Sequence, residues 1–249
     1  MHSEAVATER AGQPADGFPP EHVPWSVGEG FALLLVFLVA HSLFAQLGAL
    51  AGSPRATAVL QVAASNASIL AVIYLFVRRK AGGPSRAATM IGLRVRRPLR
   101  ALLRAAGPLA VGVPALLLWA VLQGYLVRWF GWRVEEQDAV RWVRAYAREG
   151  ATFPLGVLVV LAVAVVPVAE EAMFRGLLYL PLRARWGRRY AALVVSAAFA
   201  IIHAYPAGLG HLFILALVLI WLMESAGTLL APVLAHAAHN AVMIAVILC

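Results

Sequence analysis

The sequence predicts an all-α, polytopic transmembrane helical bundle of about seven spans, and three observations carry that prediction. Of 249 residues, 62% are hydrophobic and only 13% charged, whereas a soluble domain holds about 25% charged residues. Such a chain has too little polar surface to face water, and its mean hydropathy is +0.80. Apolar stretches follow one another from residue 30 to the C-terminus, and roughly 20 such residues cross the hydrocarbon of a bilayer. The basic residues cluster beside these stretches. Arg78, Arg79, Lys80, Arg86, Arg94, Arg96, Arg97, Arg100 and Arg104 occur with no acidic residue among them, and Arg183, Arg185, Arg188 and Arg189 follow a later stretch. That asymmetry is the mark of cytoplasmic loops facing anionic lipid. It accounts for the formal net charge of +9 without nucleic acid as a partner.

Taken in order, residues 1–26 are polar and carry Pro14, Pro19, Pro20 and Pro24. They are expected to form a disordered or surface-bound tail, with no basic region opening a cleavable signal peptide. Residues 27–249 form the membrane domain. Its spans are expected at about 30–50, 57–77, 105–127, 153–182, 190–205, 209–225 and 229–248. With the 78–104 cluster in the cytoplasm the N-terminus lies inside, and the 183–189 cluster falls on the same side. The segment 128–152 lies outside. It mixes five Arg with Glu135, Glu136, Asp138 and Glu149, and its Trp142 and Tyr146 predict an interfacial amphipathic helix. Glu29, His41 and Glu224 sit near span ends, where interfacial placement is expected. Cys249 is the only cysteine, which excludes internal disulfides, Cys-rich metal sites and a cysteine nucleophile.

Acidic and basic side chains inside a span cost about 2.5–3.5 kcal/mol each even on a lenient scale, and they mark function. The fourth expected span carries Glu170, Glu171 and Arg175, the fifth His203, and the seventh His236, His239 and Asn240. In straight helices Glu170 lies about 20 Å from Arg183, His203 about 21 Å from Arg189, and His236 about 17 Å from Ser225 along the axis. Three spans thus bring their costly residues to one polar layer. Pro167 is expected to kink the fourth span one turn before the glutamates and free backbone carbonyls there.

Spacing separates the roles. Glu171 and Arg175 are four apart, with the acid N-terminal, the favoured order for an ion pair on one helix face. Glu170 points about 100° away with no such cation, and a free carboxylate can take and return protons. His236 and Asn240, also four apart, can present two hydrogen-bond donors to an oxyanion. His203 can hold a water or a metal, and Phe199 one turn earlier is expected to pack beneath it.

The ordered set Glu170-Glu171-x-x-x-Arg175, Phe199-x-x-x-His203 and His236-x-x-x-Asn240 resembles the CPBP family. That family comprises the type II CAAX prenyl endopeptidases and their bacterial Abi-type relatives, linked to bacteriocin processing and self-immunity. The resemblance covers residues 165–245. It implies a glutamic or metallo-endopeptidase embedded in a membrane, expected to be a bacterial inner membrane. It further implies Glu170 as base, Glu171 and Arg175 in support, and His203, His236 and Asn240 as essential. Its expected partners are a peptide or protein substrate, lipid-modified in some relatives, and membrane lipids. A metal-free glutamate-activated water and a Zn²⁺ held by His203, His236 and Glu170 both fit the residues. His211 and His239 fall outside the three motifs and receive no role.

Two other classes use the same residues differently. One is a proteolytically silent immunity or scaffold protein of the same fold. The other is a proton-coupled transporter, although the paired half-repeats usual in transporters are missing from the sequence. The His-Glu-x-x-His zinc pattern is absent, as are a Gly-x-Ser nucleophile and an intramembrane aspartate pair. Asp138 lies in a loop and Asp16 in the tail.

Overall fold

A computed structural model describes residues 18–50, 54–94, 98–131 and 136–249. The start of the expected tail, the Arg96–Arg97 pair and Glu135 lie outside these residues. Every regular element among them is helical, and none is a strand. Helix α1 runs Val27–Leu50, α2 Pro54–Ala81, α3 Pro84–Met90, α4 Pro98–Phe130 and α5 Asp138–Arg148. A long helical path then covers residues 152–202: α6 Thr152–Val160, a π-helical turn Leu161–Val165, α7 Val166–Glu171, a second π-helical stretch Ala172–Tyr179, and α8 Leu180–Ile202. A short 3₁₀ turn at Pro206–Gly208 leads into α9 Leu209–Ala226, and α10 Leu230–Leu248 ends the fold.

Six helices among the described residues are long and apolar enough to cross a membrane, where the sequence predicts about seven spans. The difference lies in residues 152–202, one helical run broken inside its basic cluster at Gly187 by φ 79° and ψ 164°. A left-handed φ suits glycine, which has no Cβ to clash. The chain folds back there. The rings of Phe174 and Phe199 lie 5.0 Å apart, although 25 residues of straight helix would separate them by about 37 Å. The returning arm, residues 188–202, is 15 residues long and spans only about 22 Å, short of the hydrocarbon thickness.

The N-terminal hairpin is stitched at its open end. Ser26 and Glu29 form a reciprocal cap: the Ser26 amide donates to Glu29 Oε2 at 2.8 Å, and the Glu29 amide to Ser26 Oγ at 3.2 Å. This satisfies backbone donors that the first helical turn leaves free. Glu29 also pairs with Lys80 at 2.5 Å, tying the start of α1 to the end of α2. Within the expected tail, Trp25 is buried and packs edge-on against Phe76 of α2, with centroids 6.3 Å apart.

Helix α5 forms where an interfacial helix is expected, but its apolar face is covered by protein. Val143 and Tyr146 are buried with Leu158 of α6, flanked by Val59 and Val62 of α2 and by Ile244 and Ile247 of α10. Its polar face pairs Arg141 with Asp138 and Arg144 with Glu136. The main core gathers around Met173, Phe174, Leu177, Leu178 and Tyr179, with Ile69, Ile73 and Val77 of α2, Phe199 of α8 and Ala216, Ile220 and Met223 of α9. Helix α4 leans on α9, and α10 packs against the π turn at 161–165 and against α7. The 166–182 stretch is thereby enclosed on several sides.

Candidate active site

The fold-back at Gly187 brings α8 beside the helix carrying the glutamates, and α10 closes on both. Glu171 and Arg175 are fully buried, and Arg175 Nη1 donates to Glu171 Oε1 at 3.0 Å, the pairing their four-residue spacing predicts. Arg175 Nη2 donates to the Ala216 carbonyl of α9 at 3.1 Å, and its guanidinium stacks 4.9 Å over the Phe199 ring. The same Glu171 Oε1 lies 2.9 Å from His236 Nδ1. A carboxylate only accepts, so Nδ1 carries the proton and Nε2 is the free nitrogen of that imidazole. One oxygen thus ties two helices.

His203 is held in the same sense. Its Nδ1 lies 2.6 Å from the Phe199 carbonyl, an acceptor, so this ring also turns Nε2 outward. Both free nitrogens face Glu170: His203 Nε2 is 3.9 Å from Oε1, and His236 Nε2 is 3.7 Å from Oε2. These separations exceed the 2.7–3.2 Å of a direct hydrogen bond. Glu170 Oε2 is a buried atom with no direct hydrogen-bond partner, and the side chain is 14% exposed. Glu171 Oε2 likewise has no partner, but Glu171 Oε1 is held by Arg175 and His236, whereas Glu170 meets its imidazoles only at longer range.

Phe199 is the platform of the site. Its ring is fully buried and meets Phe174, Arg175, His203 and His236, with His203 at 4.6 Å and His236 at 6.0 Å between centroids. Its position one turn before His203 is legible from spacing; its contact with His236 on another helix is not. His41 of α1 approaches Gln61 of α2 with their Nε2 atoms 3.5 Å apart.

Asn240 has a partner that sequence spacing does not reveal. Its Nδ2 donates to the Ala162 carbonyl at 2.9 Å. Ala162 lies in the π-helical turn Leu161–Val165, where each carbonyl accepts from the N–H five residues on. Five residues on from Ala162 is Pro167, which has no N–H to give. Asn240 therefore fills the vacancy that Pro167 creates. A π turn thus precedes Pro167, and the Ala162 carbonyl docks α10. The second N–H of the Asn240 amide remains for another acceptor.

Two imidazole nitrogens and a carboxylate are a plausible zinc donor set by chemistry. Donors on one tetrahedral zinc are about 3.3 Å apart for bonds of about 2.05 Å, and both separations at Glu170 are wider. Among the described residues, no three His, Cys, Asp or Glu side chains are grouped to hold a metal ion. His203, His236 and Glu170 do not fit zinc in this arrangement.

No curated protein and no solved structure is significantly similar to the chain. A family model does match: residues 152–242 fit the type II CAAX prenyl endopeptidase Rce1-like family. The matched segment starts at α6 and ends two residues beyond Asn240, so it encloses all six expected site residues and leaves α1 to α5 outside. The family to which the three motifs point is the family whose model this segment matches, the Rce1-like type II CAAX prenyl endopeptidases.

Proposed function

We propose that the chain is an intramembrane endopeptidase in which Glu170 activates a water for attack on a peptide carbonyl. The observation that carries this reading is the contrast between the adjacent glutamates. Glu171 is paired with Arg175 and His236, whereas Glu170 lies between two imidazole nitrogens beyond direct hydrogen-bond distance of either. A water in that gap donates one proton toward Glu170 and another toward His203 Nε2. Glu170 takes its proton as the water oxygen bonds to the carbonyl carbon. The carbonyl π electrons pass to the oxygen, giving a tetrahedral oxyanion. Glu170 then returns the proton to the departing amine as the C–N bond breaks.

His236 and the second N–H of Asn240 stabilise the oxyanion. For that, His236 needs a proton on Nε2 as well as Nδ1, and the Glu171 carboxylate balances the charge. Arg175 acts through Glu171 and is a positioning residue. A zinc ion held by His203, His236 and Glu170 would supply a Lewis acid; the glutamate route described above needs none. The substrate is a peptide or protein reached at the membrane, and the likeness to CAAX endopeptidases extends this proposal to lipid-modified substrates. The N-terminus is placed in the cytoplasm with the 78–104 loop. In a Cys249→Ser background, Ser85→Cys should therefore label from the cytoplasmic side and Ala145→Cys from the opposite side.

The deciding experiment compares membrane proteomes and model-peptide cleavage between wild type and Glu170→Gln, which keeps volume and removes the base. Loss of cleavage by about 10²–10⁴-fold, with unchanged yield and melting temperature, is expected. Wild-type activity should also survive exhaustive chelation. Cleavage by Glu170→Gln near the wild-type rate would overturn the assignment. A wild-type protein with no proteolysis would instead point to a silent immunity or scaffold role.

A further inference from the structure

Two histidines outside the three motifs meet across the bundle. His211 lies in the first turn of α9, just after the Pro206–Gly208 turn, and His239 lies on α10 one turn after His236. Their Nε2 atoms are 3.4 Å apart, and their ring centroids are 5.2 Å apart. As a hydrogen bond this is long, since N–H donors sit at about 2.7–3.2 Å from their acceptors. As two ligands of one ion it fits. Imidazole nitrogens about 2.05 Å from a tetrahedral centre stand about 3.3 Å apart, and their ring centres about 5.2 Å apart.

The geometry points to a two-histidine site for a first-row transition ion, Zn²⁺ or Co²⁺, that bridges α9 and α10. The donor chemistry selects the class. Imidazole without carboxylate or carbonyl oxygen favours borderline transition ions over Mg²⁺ or Ca²⁺. Both rings are partly exposed, so water can complete the coordination. The contrast with the Glu170 site is internal to the molecule: there the donors stand too far apart, here they stand at the spacing of a tetrahedral ion. An ion at this place joins α9 to the helix that carries His236 and Asn240, and stabilises the fold by mass action. The site is independent of whether the chain is a protease.

Titration of the purified, detergent-solubilised protein with CoCl₂, read by visible absorption, tests it. Four-coordinate Co²⁺ d–d bands are expected in wild type and in His203→Asn, and are expected to be lost in His211→Asn and in His239→Asn. ZnCl₂ should raise the melting temperature of wild type and not of the two pair variants. Absence of the bands in wild type would overturn the proposal. So would bands that persist in His211→Asn and His239→Asn, or that vanish in His203→Asn, because the ion would then sit at the Glu170 site. If a pair variant yields no folded protein, the His203→Asn spectrum decides.

Discussion

Helix α4 and the 166–182 stretch both lie in helical runs able to cross a membrane and are opposite in structural role. In α4 only Ala105, Pro108 and Gly112 are buried, whereas every residue from Glu171 to Leu182 is buried. Large side chains of α4 point away from the protein, Trp129 at 85% and Leu118 at 70% exposure. Its grip on α9 depends on small residues, as helix contacts in lipid generally do. The 166–182 stretch carries instead the charges that lipid would reject, and the protein closes around them. Hydropathy identifies what can enter a membrane; small residues and charges identify what faces protein there.

The comparison can be broken first at the buried pair. Arg175→Gln or Glu171→Gln strands a partner with no exposure to water, which typically costs about 3–5 kcal/mol. Each should lower the melting temperature or the yield of detergent-purified protein. The double variant should recover much of the loss, whereas Arg175→Gln with Glu170→Gln should not. A cycle showing no coupling between 171 and 175 would mean that the pair does not hold the enclosed stretch together.

The next effect lies on α4. A Cβ added at Gly112 would meet Val218 Cγ1 at 2.5 Å, so Gly112→Leu should push α4 off α9 at a cost of about 1–3 kcal/mol. Thermal unfolding in detergent should report it.

A smaller effect sharpens the account of Asn240. Asn240→Ala should cost about 0.5–1.5 kcal/mol through its lost bond to Ala162. Pro167→Ala restores an N–H to that carbonyl, so Asn240→Ala should be milder in a Pro167→Ala background. Equal losses in both backgrounds, read as melting temperature, would detach Asn240 from the Pro167 vacancy. The smallest change is expected at Leu118→Ala on the exposed face of α4, within about 0.5 kcal/mol.

Much of this was determined by the sequence alone. Composition demanded a helical membrane protein, because a chain with so few charges cannot cover itself in water. The four-residue spacing of Glu171 and Arg175 fixed their pairing through the 3.6-residue turn. The placement of carboxylates and imidazoles in apolar stretches marked the site, since such residues are too costly to keep there idly. Only the tertiary structure decided how these groups meet. His236 reaches Glu171 across 65 residues and Asn240 reaches Ala162 across 78, and local periodicity does not encode such distances. The turn at Gly187 folds the 152–202 run back on itself and lays Phe199 against both imidazoles. The π-helical register before Pro167 exposed one particular carbonyl, and hydrogen-bond register is set by packing rather than composition. The wide gap at Glu170 and the close pair at His211 and His239 follow from the same cause: helix crossings place side-chain tips to within an ångström, and sequence spacing within one helix says nothing of its neighbour.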